Sequence, residues 1–229
     1  MPLPSSSTIT DVNELLFIAY YAPQNVDIDP DDVREFVARV EAQGYFLTSG
    51  YAWPFARPDN MIRSRAEVDG QIGAMCRRDS LGGTLHFWRY PFEFRFSLLV
   101  EPDRDTQWML SVEMATLLGA ENHLGERNSR EFLAILKTSL QCYPPVYGCA
   151  VTAQKPPYPG DAFTTDVKQL YPVNFYGPSY VRVLGSDRLL AAPAFSSEMV
   201  ANGILVVPSI HAMYTDQIIS FPAIEQYLG

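Results

Sequence analysis

Alternating apolar and polar residues predict a β-hairpin near the middle of the chain. Apolar side chains occupy every second position from 92 to 100 and again from 108 to 114, with mostly polar residues between them. A period of two residues places these apolar side chains on one face of a strand. The turn-rich segment 101–106 joins the two strands. We therefore expect an antiparallel pair with one buried face, next to a strand over 84–90 whose buried face the pattern leaves undecided.

Two segments with a helical period carry recognisable start signals. Asp29 and Pro30 precede an apolar face at positions 33, 36, 37 and 40, which ends before Gly44. An aspartate N-cap accepts a backbone N–H of the first turn, and proline fits the first helical position because no N–H is needed there. Ser64 and Glu67 have the spacing of a capping box before a second apolar face at positions 68, 72, 75 and 76. Both segments are predicted helices.

The remaining elements complete an α+β order. Residues 131–140 predict a third helix, with Asn128 and Glu131 as its capping residues. The apolar run 15–21 and the segment 146–153 predict buried strands. These elements predict an α+β fold with an antiparallel β-sheet core and several packed helices.

The same pattern sets an expectation for domains. We expect one α+β domain over residues 1–229. The order strand, helix, strands occurs on both sides of residue 105, so two similar sub-halves, 1–105 and 106–229, are an alternative, although no residue-level repeat supports a duplication. The proline-rich segment 155–161 predicts a loop or a boundary, because proline removes backbone donors and fixes φ.

A strand followed directly by a helix is predicted at residues 173–185. Gly177 gives conformational freedom where the helix begins, Pro178 suits the first helical position, and Gly185 suits a left-handed end. A second short helix is expected from Asp187 to Ala191. A turn at Asn202-Gly203 then predicts a strand up to Pro208. No catalytic arrangement of an acid–base pair with a nucleophile is recognisable in this unit.

Two short motifs mark the second half of the chain. The sequence NFYGPSYVRVLG at 174–185 is followed by NGILVVP at 202–208, and PPVYGCA at 144–150 follows the predicted helix 131–140. Together they resemble the C-terminal part of the immunity proteins of bacterial polymorphic and type VI secretion toxins, over residues 107–208. The resemblance implies a non-catalytic protein that binds and neutralises a cognate toxin or effector.

Composition narrows the class of partner. Lys and Arg number 17 against 26 Asp and Glu, which gives a net charge of -9. This charge argues against nucleic acid and anionic membranes as partners and favours a basic protein, although acidity also serves solubility alone. No apolar run approaches the ~20 residues that a membrane-spanning helix requires. The oligomeric state is not predicted.

The cysteines and the first residues predict a cytoplasmic location. Cys76, Cys142 and Cys149 leave one thiol unpaired in any internal disulfide scheme, and none has C-x-x-C spacing. This is typical of reduced thiols in or near the core of a cytosolic protein. The start MPLPSSS has neither a basic region nor a long apolar core, so it does not predict a secretory signal.

No motif predicts a metal site or a cofactor. Asp27, Asp29 and Asp31 alternate like calcium ligands, but Asp32 stands where an EF-hand needs glycine and Ala38 where it needs glutamate. The helix-cap interpretation is therefore preferred. The histidines at 86, 123 and 211 are far apart and lack ligand-spaced partners, and His86 is expected to be a partly buried structural residue.

No catalytic residue is predicted either. The chain lacks a G-x-S-x-G motif, and neither Cys142 nor Cys149 has a basic neighbour that would stabilise a thiolate. Two alternatives to the immunity protein remain open. One is an enzyme, such as a hydrolase, whose site is assembled from distant residues, and the other is a structural component of a phage or secretion assembly.

Acidic and aromatic residues in predicted loops are the candidate contacts with a protein partner. Carboxylates steer association with a basic protein, and tyrosines anchor interfaces because they bury a large area and keep a polar hydroxyl. The candidate partner-binding residues are Asp103, Asp105, Tyr158, Asp161, Tyr171 and Tyr176.

Overall fold

One antiparallel sheet of nine strands organises the computed structural model of the chain. The structure describes residues 14–20, 29–52, 64–77, 82–99, 107–119, 124–152, 169–215 and 219–228. The strands are β1 (Glu14–Tyr20), β2 (Phe46–Ala52), β3 (Gly82–Arg89), β4 (Phe92–Leu99), β5 (Gln107–Glu113), β6 (Tyr147–Val151), β7 (Val173–Tyr176), β8 (Ser196–Val200) and β9 (Gly203–Val207). They lie in the order β2-β3-β4-β5-β1-β6-β7-β9-β8.

Helices pack on both faces of this sheet, but not along its whole width. The helices are α1 (Pro30–Ala42), α2 (Arg65–Met75), α3 (Met114–Leu118), α4 (Gly125–Cys142), α5 (Pro178–Leu184), α6 (Ser186–Leu190) and α7 (Pro222–Leu228). The apolar sides of α1, α2 and α4 form one core with buried residues of β1 and of all the strands from β3 to β9. Leu47 of β2 packs against this core and is partly buried. The helices α5, α6 and α7 form a second core on the opposite face, over β1, β6, β7 and β9. The predicted α+β fold is confirmed.

The predicted hairpin is present, and its register follows the alternation. Phe96 of β4 lies opposite Leu110 of β5, and both side chains are fully buried. In β3, Leu85 and Phe87 join the same core, which resolves the face that the sequence left undecided. Trp88 must therefore point to the other face, because successive side chains of a strand alternate.

Three predicted helix starts are confirmed by their hydrogen bonds or by their positions. The Asp29 carboxylate accepts a bond of 2.9 Å from the backbone N–H of Asp31. Ser64 and Glu67 form the complete capping box. Pro178 occupies the first turn of α5, and Gly185 follows its end with φ +87°. Glycine is needed at position 177 because any larger residue would clash: an added Cβ would lie 2.5 Å from the carbonyl oxygen of Pro145.

The predicted caps of α4 are wrong. The helix begins at Gly125, so Asn128 and Glu131 lie inside it. The buried Asn128 side chain instead donates bonds of 2.8 Å and 3.1 Å to the carbonyl oxygens of Thr116 and Leu117, which ties α3 to α4. Asn128 and Glu131 have the spacing of a capping box, but residues 125–130 also adopt helical geometry, and the Asn128 side chain bonds to α3 instead of capping α4.

One strand was not predicted at all. β8 has the sequence SSEMV, which lacks the alternation of a half-buried strand, and it forms one edge of the sheet. It pairs with β9, so the turn lies at Ala201-Asn202, one residue before the predicted position. Ala201 adopts φ +50° there. The single domain over 1–229 and its division at residue 105 stay predictions.

Candidate protein-binding surface

The sheet face of β3, β4 and β5 that points away from α1, α2 and α4 is called the uncovered face. The second core of α5, α6 and α7 does not extend over the β3 and β4 part of this face, and at β5 only Met109 packs against it. Its side chains are Thr84, His86 and Trp88 of β3, Glu93, Arg95 and Ser97 of β4, and Met109, Ser111 and Glu113 of β5. This face is mainly polar, as expected for a sheet face in contact with water.

Three exposed aromatic side chains lie at one corner of this face, and we call them the aromatic corner: Phe46, Trp88 and Tyr90. Their exposed fractions are 65%, 41% and 81%, respectively. Phe46 is the register partner of Trp88 across β2 and β3, and the rings of Trp88 and Tyr90 are 6.5 Å apart. Neighbouring exposed aromatic residues are typical of surfaces that bind other proteins.

Carboxylates border the aromatic corner. Glu93 lies opposite Trp88 in the register of β3 and β4. Glu113, at the end of β5, lies opposite Glu14 of β1. Glu14 forms an ion pair with Arg95, whereas neither Glu93 nor Glu113 has an ion-pair partner among the described residues. The border of the aromatic corner therefore carries an excess of negative charge.

A small hollow lies in the uncovered face beside this border. Its volume is about 100 Å³. Its lining includes His86, Glu93, Arg95, Ser111, Glu113 and Thr116. Pockets for small organic ligands are larger, roughly 300–1,000 Å³. The hollow is thus large enough for the end of one side chain.

Two residues of the hollow have unusual environments. Ser111 is buried, with 7% of the residue exposed. Burial lowers the pKa of His86, the positive charge of Arg95 lowers it further, and Glu93 partly opposes both effects. His86 is therefore neutral at pH 7, because its ordinary pKa is already near 6.5. Its position on a strand, half-buried, agrees with the structural role predicted for it.

A second concavity lies over α4 and is open to solvent. Its volume is about 590 Å³, and it is lined by Glu126, Arg127, Arg130 and Glu131. Glu126 forms an ion pair with Arg130, and Glu131 forms one with Arg89. Because most of these charges are already paired within the chain, this concavity is a weaker candidate for binding a charged partner.

Arg89 belongs to a packed group that connects the sheet to α4. Its guanidinium lies 4.4 Å from the ring centre of Tyr45 and donates a bond of 2.7 Å to the carbonyl oxygen of Gln43. The Tyr45 hydroxyl donates to the Glu131 carboxylate. Burial raises the pKa of Tyr45 to about 12, although Arg89 opposes the rise. These contacts are all intramolecular, and they give the group a structural role.

The predicted partner-binding residues lie in two kinds of place. Asp103, Asp105, Tyr158 and Asp161 lie outside the described residues. Tyr171 and Tyr176 lie in the second core, where 4% and 1% of the residue is exposed. In this conformation neither tyrosine is available to a partner. Their burial follows from the helices α5 and α6, which cover the sheet at this point. The role of all six residues as partner contacts stays a prediction.

Sequence patterns could have found part of the aromatic corner. Trp88 and Tyr90 lie in the predicted strand 84–90, but the alternation in β3 includes too many aromatic residues to show which face is buried. Extending the register of Phe92 and Phe94 through the short turn at Tyr90-Pro91 would have placed Trp88 outside. Phe46 gives no such signal, because nothing in the sequence distinguishes an exposed phenylalanine from a buried one.

Other features of the described residues add no site. They contain no group of three or more His, Cys, Asp or Glu side chains arranged to hold a metal ion. None of their helices is both long enough and apolar enough to cross a membrane. The three thiols are unpaired: Cys149 is buried, whereas Cys76 and Cys142 are partly buried against the first core.

Comparisons with known proteins give one structural neighbour. Neither a protein-family model nor a curated protein matches this chain. The structure is similar to that of the Pseudomonas aeruginosa T6SS protein PA0821, with a TM-score of 0.49 and 12% sequence identity. The match covers 93% of this chain and 80% of that chain. A structural neighbour is thus a type VI secretion system protein, and a similarity of this size does not transfer its role to this chain.

Proposed function

We propose that this protein is a non-catalytic immunity protein, which binds a cognate toxin with a basic surface and neutralises it in the cytoplasm. The observation that carries the proposal is the aromatic corner of Phe46, Trp88 and Tyr90, exposed beside carboxylates that have no ion-pair partner in the part of the chain that the structure describes. The resemblance of residues 107–208 to immunity proteins supports the same function. The net charge of -9 favours a basic partner.

The chemistry of this surface fits a protein partner. Large aromatic rings supply most of the binding energy at the centre of an interface, where water is excluded. Carboxylates around them accelerate association with a basic partner and weaken in effect as salt rises. A toxin held in this way loses activity when the bound protein covers or distorts its active site.

The test uses proteins encoded by the genes adjacent to this one, each co-expressed and purified with the chain. We expect one of them to be toxic alone and to bind this chain at about one-to-one stoichiometry. Trp88→Ala and Tyr90→Ala should each raise the Kd about 30-fold, which corresponds to the ~2 kcal/mol of an interface hot spot. Calorimetry measures the affinity, and growth of cells that express the toxin measures neutralisation.

A matched pair of phenylalanines controls for general effects of aromatic residues. Phe46 belongs to the aromatic corner, whereas Phe195 is 43% exposed elsewhere and packs under Arg130. Phe46→Ala should weaken binding, and Phe195→Ala should leave it unchanged. Equal affinities in all the corner variants would place the interface elsewhere. Substrate turnover by the isolated chain, abolished by one polar substitution that preserves the fold, would support the enzyme instead.

A further inference from the structure

We infer that the toxin adds an extended segment to the sheet as an additional strand, which pairs with the outer edge of β2 beside the aromatic corner. The inference rests on the proposed function and names the part of the partner that the same surface binds. Its basis is the position of β2 at one edge of the sheet, its sequence without charges, and the exposed rings next to it.

The outer edge of β2 presents backbone groups for hydrogen bonding. β2 is the first strand in the order of the sheet, and β3 pairs with only one of its sides. No strand in the described ranges lies on the other side. Backbone N–H and C=O groups alternate along such an open side, and another extended chain satisfies them in register. The occupant that fits this edge is therefore a strand rather than a helix.

The two edges of the sheet differ in the protection that their sequences give. β8, at the other edge, contains Glu198, which forms an ion pair of 2.6 Å with Lys137 of α4. β2 has the sequence FLTSGYA, with no charged residue and no proline. Charged side chains and prolines are common means by which edge strands avoid pairing with other chains. β8 also exposes Met199, but β2 is the edge that lacks both protections.

A bulge at Thr48 limits the length of the added strand. The register between β2 and β3 shifts between Leu47 and Ser49, so Thr48 has no partner residue in β3. The Thr48 hydroxyl donates a bond of 3.2 Å to the carbonyl oxygen of His86. A bulge bends its strand and restricts regular pairing, so we expect the partner strand to be short.

The exposed rings predict which side chain the added strand carries. Phe46 and Trp88 lie opposite each other in one row of the uncovered face. A strand outside β2 continues this row, with a Cβ atom about 4.5–5.5 Å from that of Phe46. An aromatic or β-branched residue fits there, because such cross-strand pairs are favourable. A second copy of this chain is a less favourable occupant, since both copies carry a net charge of -9 and repel each other.

Hydrogen exchange of the backbone amides tests the pairing in the complex with the co-encoded toxin. The β2 amides that do not bond to β3 should exchange at least about 10-fold more slowly in the complex than in the free chain, because a backbone hydrogen bond protects its donor. The amides of β8 should keep their rates. Unchanged exchange in β2, or protection of β8 instead, would overturn the inference.

The free chain supplies two further outcomes of the same measurement. Slow exchange of the outward β2 amides in the free monomer would mean that another segment of this chain already covers the edge. Slow exchange that appears only together with a dimer of the chain would make a second copy the occupant. Either result would overturn the inference, and the oligomeric state is measured by light scattering.

Two substitutions at position 48 separate backbone pairing from side-chain contact. Thr48→Pro removes one backbone donor from the edge and interrupts no residue pair of β2 with β3. Thr48→Val removes the same hydroxyl but keeps the N–H. Thr48→Pro should raise the Kd for the toxin at least about 10-fold, and Thr48→Val should change it less than about 2-fold. Equal affinities in the two folded variants would reject pairing at this edge. The exchange measurement on the unmodified chain does not depend on either variant.

Short overlapping peptides that cover the sequence of each co-encoded protein separate this inference from the proposed function. If Trp88→Ala impairs neutralisation while exchange in β2 stays unchanged in the complex, the proposed function stands and strand addition is rejected. If one peptide protects the β2 amides but no co-encoded protein is neutralised, the strand site stands and the proposed function is rejected. If neither a co-encoded protein nor a peptide protects β2, strand addition is rejected.

Discussion

One face of the sheet is covered by helices over β6 and β7 but is open to solvent over β3 and β4. Ser97 of β4 and Asn174 of β7 lie in one row on that face, linked through Met109, Ile18 and Cys149. Ser97 is partly exposed, whereas Asn174 is fully buried beneath the second core. The strands pair in the same way in both parts. The layer of helices above them determines whether a side chain stabilises the fold or faces solvent.

This difference separates stability from recognition. In the covered part, tyrosines at positions 147, 176 and 180 pack against one another with ring centres 5.3 to 5.9 Å apart. In the uncovered part, Trp88 and Tyr90 contact each other but remain exposed. Aromatic residues are abundant in both, so their number does not indicate an interface. Their exposure does.

The largest contrast should come from removing one tyrosine in each part. Tyr176 is 1% exposed and Tyr90 is 81% exposed. Tyr176→Ala should lower the free energy of unfolding by about 3–5 kcal/mol, because it leaves a cavity among packed rings. Tyr90→Ala should change it by less than about 0.5 kcal/mol, as expected at the surface. Urea unfolding followed by fluorescence measures both values. Similar losses in the two variants would contradict the contrast.

Much of the fold could be predicted because local patterns determine it. The hairpin of β4 and β5 follows from alternation, and the starts of α1 and α2 follow from hydrogen-bonding residues next to an apolar face. β8 could not be predicted, since an edge strand with a polar sequence depends on pairing with β9. The start of α4 depends in the same way on its contact with α3.

The candidate surface could be predicted only in part. The excess of Asp and Glu over Lys and Arg can be read from the sequence, and it predicts a basic partner. The predicted anchors Tyr171 and Tyr176 are buried. Their distance in sequence from a proline-rich loop does not show that a helix covers them. The hollow joins Glu93, Ser111 and Thr116 through strand pairing and the position of α3, so no local pattern contains it.

The next effect concerns the two polar residues of the shared row. The Asn174 side chain accepts a bond of 3.1 Å from the backbone N–H of Tyr171 and donates one of 2.8 Å to its carbonyl oxygen. Asn174→Ala should cost about 2–4 kcal/mol, because two buried backbone groups lose their partners. Ser97 interacts with the Thr84 hydroxyl at 2.9 Å. Ser97→Ala should cost no more than about 1 kcal/mol. Comparable losses in chemical unfolding would argue against the difference in burial.

A smaller effect should distinguish two tyrosine hydroxyls. The Tyr45 hydroxyl donates to Glu131, whereas the buried Tyr176 hydroxyl has no partner among the described residues. Tyr45→Phe should therefore cost about 1–2 kcal/mol, and Tyr176→Phe should be neutral or slightly stabilising. Thermal and urea unfolding of both variants provide the comparison. A substantial loss in Tyr176→Phe would mean that its hydroxyl is bonded in solution.

The smallest expected effect is a pH dependence on the uncovered face. Burial and Arg95 lower the pKa of His86 in the folded chain, so the unfolded chain binds a proton first as the pH falls. The stability that neutral His86 contributes is present above its unfolded value of about 6.5 and is lost as the pH falls toward the lower folded value. The free energy of unfolding should thus decrease between pH 7.5 and pH 5.5. His86→Gln should reduce that decrease, whereas Ser97→Ala, which removes no titrating group, should retain it. An equal decrease in all three chains would assign the acid sensitivity to other groups and would leave the uncovered face without a titrating residue in this range.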